Sequence, residues 1–246
     1  MSAGKRTRIN KYLSEVGVCS RRAADQWIED GRVTVNGEVP EIGTKIGAID
    51  VVHVDGRLVS TPVESHAYLA FHKPVGIVCT TDTRVERDNI IDYIGYPKRI
   101  FPIGRLDKPS EGLILLTSDG DIVNKVLRAK YGHEKEYIVS VDRPITRAFV
   151  RGMGAGVPIL DTVTNPCDVE QLNRTTFRIV LTQGLNRQIR RMCEHFEYRV
   201  TRLRRVRIMH IPLDVEVGHW RDLTADELAK IHESVRAVDG DGEESI

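Results

Sequence analysis

Two apolar runs, Arg99–Ile103 and Leu113–Thr117, flank the polar loop Gly104-Arg105-Leu106-Asp107-Lys108-Pro109-Ser110-Glu111-Gly112. Runs of this kind read as strands that the fold must bury. The loop therefore places charges where the chain is entering the core. Arg105 and Asp107 are two apart, so in an extended segment they share a face. Either the loop is a surface connection with a local ion pair, which contributes little, or its charges have a chemical task.

The 246 residues suffice for one large domain and a small one. Lys plus Arg is 36 against 35 for Asp plus Glu, so any basic surface must be local. Cys19, Cys79, Cys167 and Cys193 are scattered and form no Cys-x-x-Cys pair. That argues against a zinc site or a disulfide framework and for free thiols in a reducing, cytoplasmic setting. No apolar run approaches the length of a membrane span. Met1–Asn10 is basic but has no apolar core behind it, unlike a secretory signal.

The periodicity predicts a helix over Ile9–Gly17, with Ile9, Tyr12, Leu13 and Val16 on one side. Ser20 is a good N-cap for a second helix, Arg21–Asp30, which points Ala24, Trp27 and Ile28 inward and stops at Gly31. Strands over Arg32–Val35 and Asp50–Val54 end at the hairpin signals Asn36-Gly37 and Asp55-Gly56. Residues 58–67, with Ser60, Thr61, Pro62 and Ser65, read as a linker. Leu69–Thr80 reads as two strands broken at Lys73-Pro74-Val75-Gly76, and Asp82–Asn89 as a mobile loop. Helices are expected over Asn89–Tyr96, Asp121–Ala129 and Thr146–Met153, and strands over His133–Val141, Thr162–Glu170 and Thr176–Leu181. The glycine cluster at Gly152–Gly156 lacks the strand before and helix after that a nucleotide loop needs. Gly184–Cys193 opens a helix with Ile189, Met192, Cys193 and Phe196 inward. Thr224-Ala225-Asp226-Glu227 is a capping box for a last helix to about Val235, and the acidic stretch after it reads as disordered.

Arg187, Arg190, Arg191, Arg199, Arg202, Arg204, Arg205 and Arg207 are opposed along the chain only by Glu194 and Glu197. The planar fork of arginine suits phosphates and stacked bases. A charged strand edge that resists aggregation is the bland alternative.

The string from Gly104 to Leu113 resembles the Gly-Arg-Leu-Asp-x-x-Ser-x-Gly-Leu signature of RNA pseudouridine synthases, in the branch that modifies ribosomal RNA. Lys73-Pro74, Lys135-x-Tyr137 and Gly184-x-x-x-Gln188-Ile189-Arg190 resemble further motifs of that family, in the family's order. Arg8, Lys11, Leu13, Ser20–Ala24 and Gly31–Gly37 resemble an S4-type RNA-binding domain. The likeness is nearest to the synthases of large-subunit ribosomal RNA. It implies isomerisation of uridine to pseudouridine, with no cofactor and no metal.

By the same resemblance Asp107 is catalytic, Arg190 pairs with it, and Tyr137 supports an extruded base, with Lys135 beside it. Arg105 is the wedge that fills the gap, and Leu185 and Ile189 form an apolar wall. Asp107 either attacks the sugar carbon or abstracts a proton. RNA phosphates fall to Arg8, Lys11, Ser20, Arg21, Arg22, Arg187, Arg191, Arg202, Arg204 and Arg205. Arg21 and Arg22 open a helix, where the dipole gives cations nothing, so a phosphate partner explains them better.

The expected fold is α+β. A small S4-type domain (7–57) and a linker (58–67) precede a synthase domain (68–236) with a mixed, mostly antiparallel sheet and flanking helices. An acidic tail (237–246) follows. The expected partner is a structured stem-loop of ribosomal RNA, met by a monomer. The alternatives are the same chemistry on small-subunit ribosomal RNA or transfer RNA, or an S4-type RNA-binding protein without catalysis.

Overall fold

The computed structural model describes residues 6–47, 49–59, 66–82, 86–127 and 132–240. The chain divides into two units, Met1–His66 and Ala67–Ile246. Most of the expected linker (60–65) and the last six residues lie outside the described residues.

The first unit contains β1 (Thr7–Arg8), α1 (Ile9–Glu15), α2 (Arg21–Glu29), β2 (Val33–Val35), β3 (Lys45–Ile46), β4 (Val52–Val54) and β5 (Arg57–Leu58). Ser20 caps α2, its Oγ accepting the Ala23 N–H at 3.1 Å. Asn36 and Gly37 take φ of 54° and 91°, and Asp55 and Gly56 take 50° and 72°, as tight hairpin turns require. These turns let β2, β4 and β5 form an antiparallel sheet. Ile9, Leu13, Ala24, Ile28, Val33 and Val52 are buried between the helices and this sheet. Trp27 is only half-buried, because the Arg32 guanidinium stacks over its ring at 4.4 Å while binding Asp55 through two hydrogen bonds.

The second unit runs β6 (Tyr68–Lys73), α3 (Ile90–Ile94), β7 (Phe101–Ile103), β8 (Glu111–Thr117), α4 (Gly120–Leu127) and β9 (Lys135–Val141). It continues with α5 (Arg147–Ala155), β10 (Pro158–Ile159), β11 (Thr162–Val163), β12 (Asp168–Gln171), β13 (Thr176–Leu181) and α6 (Gln188–His195). β14 (Val200–Ile208), β15 (Ile211–Pro212), β16 (Trp220–Asp222) and α7 (Ala225–Gly240) complete it. The main sheet has the order β12-β13-β9-β14-β8-β6-β16, with β7 on β8 and β15 on β14. Among the described residues only β8 and β14 pair in parallel, so the sheet is mixed and mostly antiparallel.

β8 is buried along its whole length. Its period of two sends Leu113 and Leu115 to one cluster, with Ile122 and Val126 of α4 and Ile231 of α7. Ile114 and Leu116 face a larger cluster, with Phe149 and Met153 of α5 and Ile189 and Met192 of α6. Helices thus cover both faces of the sheet.

Four local expectations need correction. No second strand follows Lys73: Pro74 brings no N–H, Gly76 donates to Lys108 O, and Val78 makes only a single bridge to Asn89. The segment instead braces the loop that carries Asp107. The stretch 162–170 splits into β11 and β12 around Pro166, which cannot donate to a ladder. α5 runs on through Gly152 and Gly154, and the bare Gly152 admits the Phe196 ring. α7 extends to Gly240, so residues 237–240 are helical rather than part of a disordered tail. Among the described residues no helix is long and apolar enough to cross a membrane.

Candidate active site

One residue from each of four neighbouring strands lines up across the middle of the sheet. Lys73 on β6 stands opposite Gly112 on β8, Gly112 opposite Arg205 on β14, and Arg205 opposite Tyr137 on β9. Directly opposed residues present their side chains to the same face. Lys73, Arg205 and Tyr137 therefore all face the larger core cluster. Gly112 has φ of 113°, and a Cβ there would overlap the Arg205 backbone. A glycine is what lets β14 dock at this point.

The loop before β8 reaches over this row. Leu106 is driven into the core, and its N–H donates to the buried Cys79 Sγ at 3.4 Å. Arg105, before it, is exposed, and Asp107, after it, keeps 37 % of its side chain exposed. Lys73 is fully buried and holds the loop from beneath, its Nζ donating to Ser110 O at 2.7 Å and Pro74 O at 2.8 Å. Burial brings the Lys73 ammonium down to about 8, although Cys79, Asp107 and Glu111 pull the other way. Burial also pushes the Cys79 thiol up.

Arg190 arrives from the first turn of α6, which follows Arg187 in a left-handed conformation (φ 50°). Its Nε stands 3.9 Å from Asp107 Oδ2, an ion pair without a hydrogen bond. Its Nη2 donates to Ser110 Oγ at 3.1 Å and Pro109 O at 3.3 Å, so the loop backbone and Ser110 aim the guanidinium. Burial draws the Arg190 guanidinium down, Arg187 adds to this, and Asp107 opposes it.

Tyr137 is 9 % exposed, with the Arg205 guanidinium 5.9 Å from its ring centre. Lys135 lies two residues back on the same face of β9, its Nζ donating to His133 O at 3.1 Å. Burial first, and Arg205 second, bring Lys135 down to about 8. Ile189 is buried and Leu185 packs against the same cluster, where the Leu185 N–H donates to Gln188 Oε1 at 3.0 Å.

The arginine cluster needs the largest correction. Its counter-charges come from neighbouring strands and loops rather than from nearby sequence. Arg202 binds Glu111 at 2.6 Å, Arg207 binds Glu134 at 2.9 Å and Glu136 at 3.0 Å, and Arg199 lies 3.8 Å from Asp142. Arg205, expected to meet phosphates, is 3 % exposed and donates from Nε to Leu113 O at 2.7 Å, so it belongs to the site's interior. Arg187 is exposed, Arg204 is half-buried, and Arg191 is turned back to Asn186. In the first unit Arg8, Ser20, Arg21 and Arg22 are exposed, and Lys11 pairs with Glu15 at 3.4 Å. Cys79 joins the site without having been singled out, and Lys73 and Ser110, named only as parts of motifs, brace its loop. For Lys73 a signal existed: a lysine at the end of an apolar run that ought to be buried.

The profile of the family described as RNA pseudouridylate synthase matches residues 67–195, and that of the S4 domain matches residues 7–52. The dual-specificity RNA pseudouridine synthase RluF of Salmonella typhi is 59% identical over 224 residues, covering 90% of this chain and 77% of that protein. Its namesake from Escherichia coli (strain K12) is 57% identical over 223 residues, with the same coverage. Ribosomal large subunit pseudouridine synthase B of Bacillus subtilis is 32% identical over 233 residues, covering 91% and 95%. A crystal structure of a pseudouridylate synthase superposes with a TM-score of 0.67 at 28% identity, covering 91% of this chain and 99% of that one. A shared sequence over nine-tenths of the length and a profile match over residues 67–195, which hold Lys73, Asp107, Tyr137 and Arg190, give one conclusion: the chain belongs to the RNA pseudouridylate synthase family and carries an S4 domain ahead of the synthase domain.

Proposed function

We propose that this enzyme isomerises uridine to pseudouridine in large-subunit ribosomal RNA, and that Asp107 acts on the sugar. The observation that carries the assignment is a contrast between two carboxylates, one in the loop before β8 and one at the start of β8. Glu111 is bound to Arg202 at 2.6 Å and its side chain is 11 % exposed. Asp107 stands 3.9 Å from Arg190 and is 37 % exposed, so it is accessible and uncommitted. Arg190 stands beside it without a hydrogen bond and leaves its oxygens open to a substrate.

In this reading a uridine leaves its stack, Arg105 at the exposed rim fills the gap, and Tyr137 supports the base. Leu185 and Ile189 give the pocket an apolar wall, with Lys135 beside Tyr137. Arg8, Lys11, Ser20, Arg21 and Arg22 in the first unit, and Arg187, Arg191, Arg202 and Arg204 in the second, meet phosphates of a structured stem-loop. The protein works as a monomer in the cytoplasm, where its substrate is made. The dual-specificity name of the relatives favours a second RNA substrate besides the ribosomal one.

The test is to map pseudouridines in total RNA from cells that lack the protein, then from cells given back the wild type or Asp107→Asn. Wild type should restore the missing sites and Asp107→Asn should not, while binding RNA within a few-fold of wild type. Activity in Asp107→Asn above about a hundredth of wild type would remove Asp107 from this role, since catalysts of this kind lose more.

A further inference from the structure

We propose that Arg205 is a catalytic residue, whose free Nη2 donor meets the negative charge that gathers on the uracil when it leaves the sugar. The proposal rests on the reading of Asp107 given above and extends it to the other end of the breaking bond.

When the N1–C1′ bond breaks, its electron pair leaves with the uracil, which becomes an anion spread over N1, O2 and O4. If Asp107 attacks, its carboxylate oxygen forms a bond to C1′ and loses its charge. If Asp107 abstracts the C2′ proton, it becomes a neutral acid and the sugar gains a double bond. Either route moves one negative charge from Asp107 to the base. Arg190 serves the aspartate end and leaves the base end to be met by something else.

The row across the sheet puts a cation at that second place. Arg205 is directly opposite Tyr137, 5.9 Å from its ring centre and on the same face. Lys135 lies on that face too. The other arginines of β14 that turn toward carboxylates hold them: Arg202 has Glu111, and Arg207 has Glu134 and Glu136. Arg205 has none within ion-pairing distance among the described residues. It is 3 % exposed, its Nε is used by Leu113 O, and its Nη2 is buried with no hydrogen-bond partner among the described residues. A buried cationic donor left unsatisfied is costly, and folded proteins keep few of them. A donor held ready for charge that develops only during reaction accounts for the cost. Gly112 fits the same account, because its missing side chain lets the Arg205 backbone seat against β8.

The experiment is a single-turnover comparison of the intact protein on two transcripts of large-subunit ribosomal RNA, one made with uridine and one with 5-fluorouridine. Fluorine withdraws electrons and stabilises the departing anion, so a residue that stabilises that anion matters less. It also leaves C5 without a proton to lose, so the fluorinated reaction stops once the carbon–carbon bond has formed. Nucleoside digestion and chromatography read both products. Arg205→Met should slow the uridine reaction on the order of 10²-fold, and the fluorinated reaction about ten-fold less than that. Arg205→Lys should fall between Arg205→Met and wild type. Equal slowing on both transcripts would mean that Arg205 only packs against Tyr137, and a folded Arg205→Met within about three-fold of wild type on uridine would also overturn the proposal. If Arg205→Met does not fold, Arg205→Lys carries the same comparison with the same two outcomes. A wild type that leaves the uridine transcript unmodified sinks the functional reading itself, which separates that failure from this one.

Discussion

Gly112 is the residue on which the site's geometry most depends, and it takes part in no chemistry. Its φ of 113° and the Arg205 backbone alongside leave no room for a side chain. Gly112→Ala should destabilise the protein by about 2 kcal/mol or more, through both strain and overlap, and should lower activity by moving Arg205. Urea unfolding checks this, and an unchanged midpoint would count against the close approach. Individual residues were readable from sequence in very different degrees. Asp107, Tyr137 and Arg190 could be named as candidates because they sit in motifs. Arg205 could not be placed correctly, because the sequence shows eight arginines with two nearby glutamates. The carboxylates that neutralise its neighbours, Glu111, Glu134 and Glu136, come from distant parts of the chain. Once those are assigned, Arg205 stands out as the arginine of β14 turned into the site.

Among the elements, the start of α7 was the most completely readable. Thr224 Oγ1 accepts the Glu227 N–H at 3.2 Å, and Glu227 Oε2 accepts the Thr224 N–H at 2.8 Å, the two reciprocal bonds of a capping box. Its sequence gives no hint that Arg221 also grips Glu227 at 2.7 Å and Asp214 at 2.8 Å. Arg221 first, and then the Thr224 backbone, hold the Glu227 carboxyl down to about 2, against the cost of burial. A carboxyl depressed in the folded state stabilises fully above its ordinary value of 4.5, and that contribution is lost as the pH falls from there toward 2. Glu227→Gln should therefore lower the urea midpoint at pH 6, and the gap to wild type should narrow by pH 3. A gap that stays constant would mean the charge is not what matters. Strands were read less well where proline intervenes. Pro166 splits one expected strand and Pro74 ends another, since each removes a ladder donor that alternation alone does not reveal.

For the molecule as a whole, the three buried clusters each fall within a single unit. Removing residues 1–66 should therefore leave a folded, soluble fragment that retains Asp107, Tyr137, Arg190 and Arg205. It should bind ribosomal RNA more weakly, and its affinity should depend on salt with a slope shallower by about three to four, for the phosphate contacts of Arg8, Lys11, Arg21 and Arg22. Parallel lines over a salt series would mean that the S4 unit does not touch the RNA. The arrangement of the sheet also dictates an order of events when the chain is made. β14 lies between β8 and β9, which do not pair with each other, so it is the seam between β12-β13-β9 and β8-β6, strands synthesised before it. One half brings Asp107, the other brings Tyr137, and the seam itself brings Arg205. Until residues 200–208 emerge, each half carries an open strand edge of the kind that invites wrong pairing. On the proposed roles, catalytic competence arrives only with β14, so a growing chain of this protein is most vulnerable just before it becomes useful.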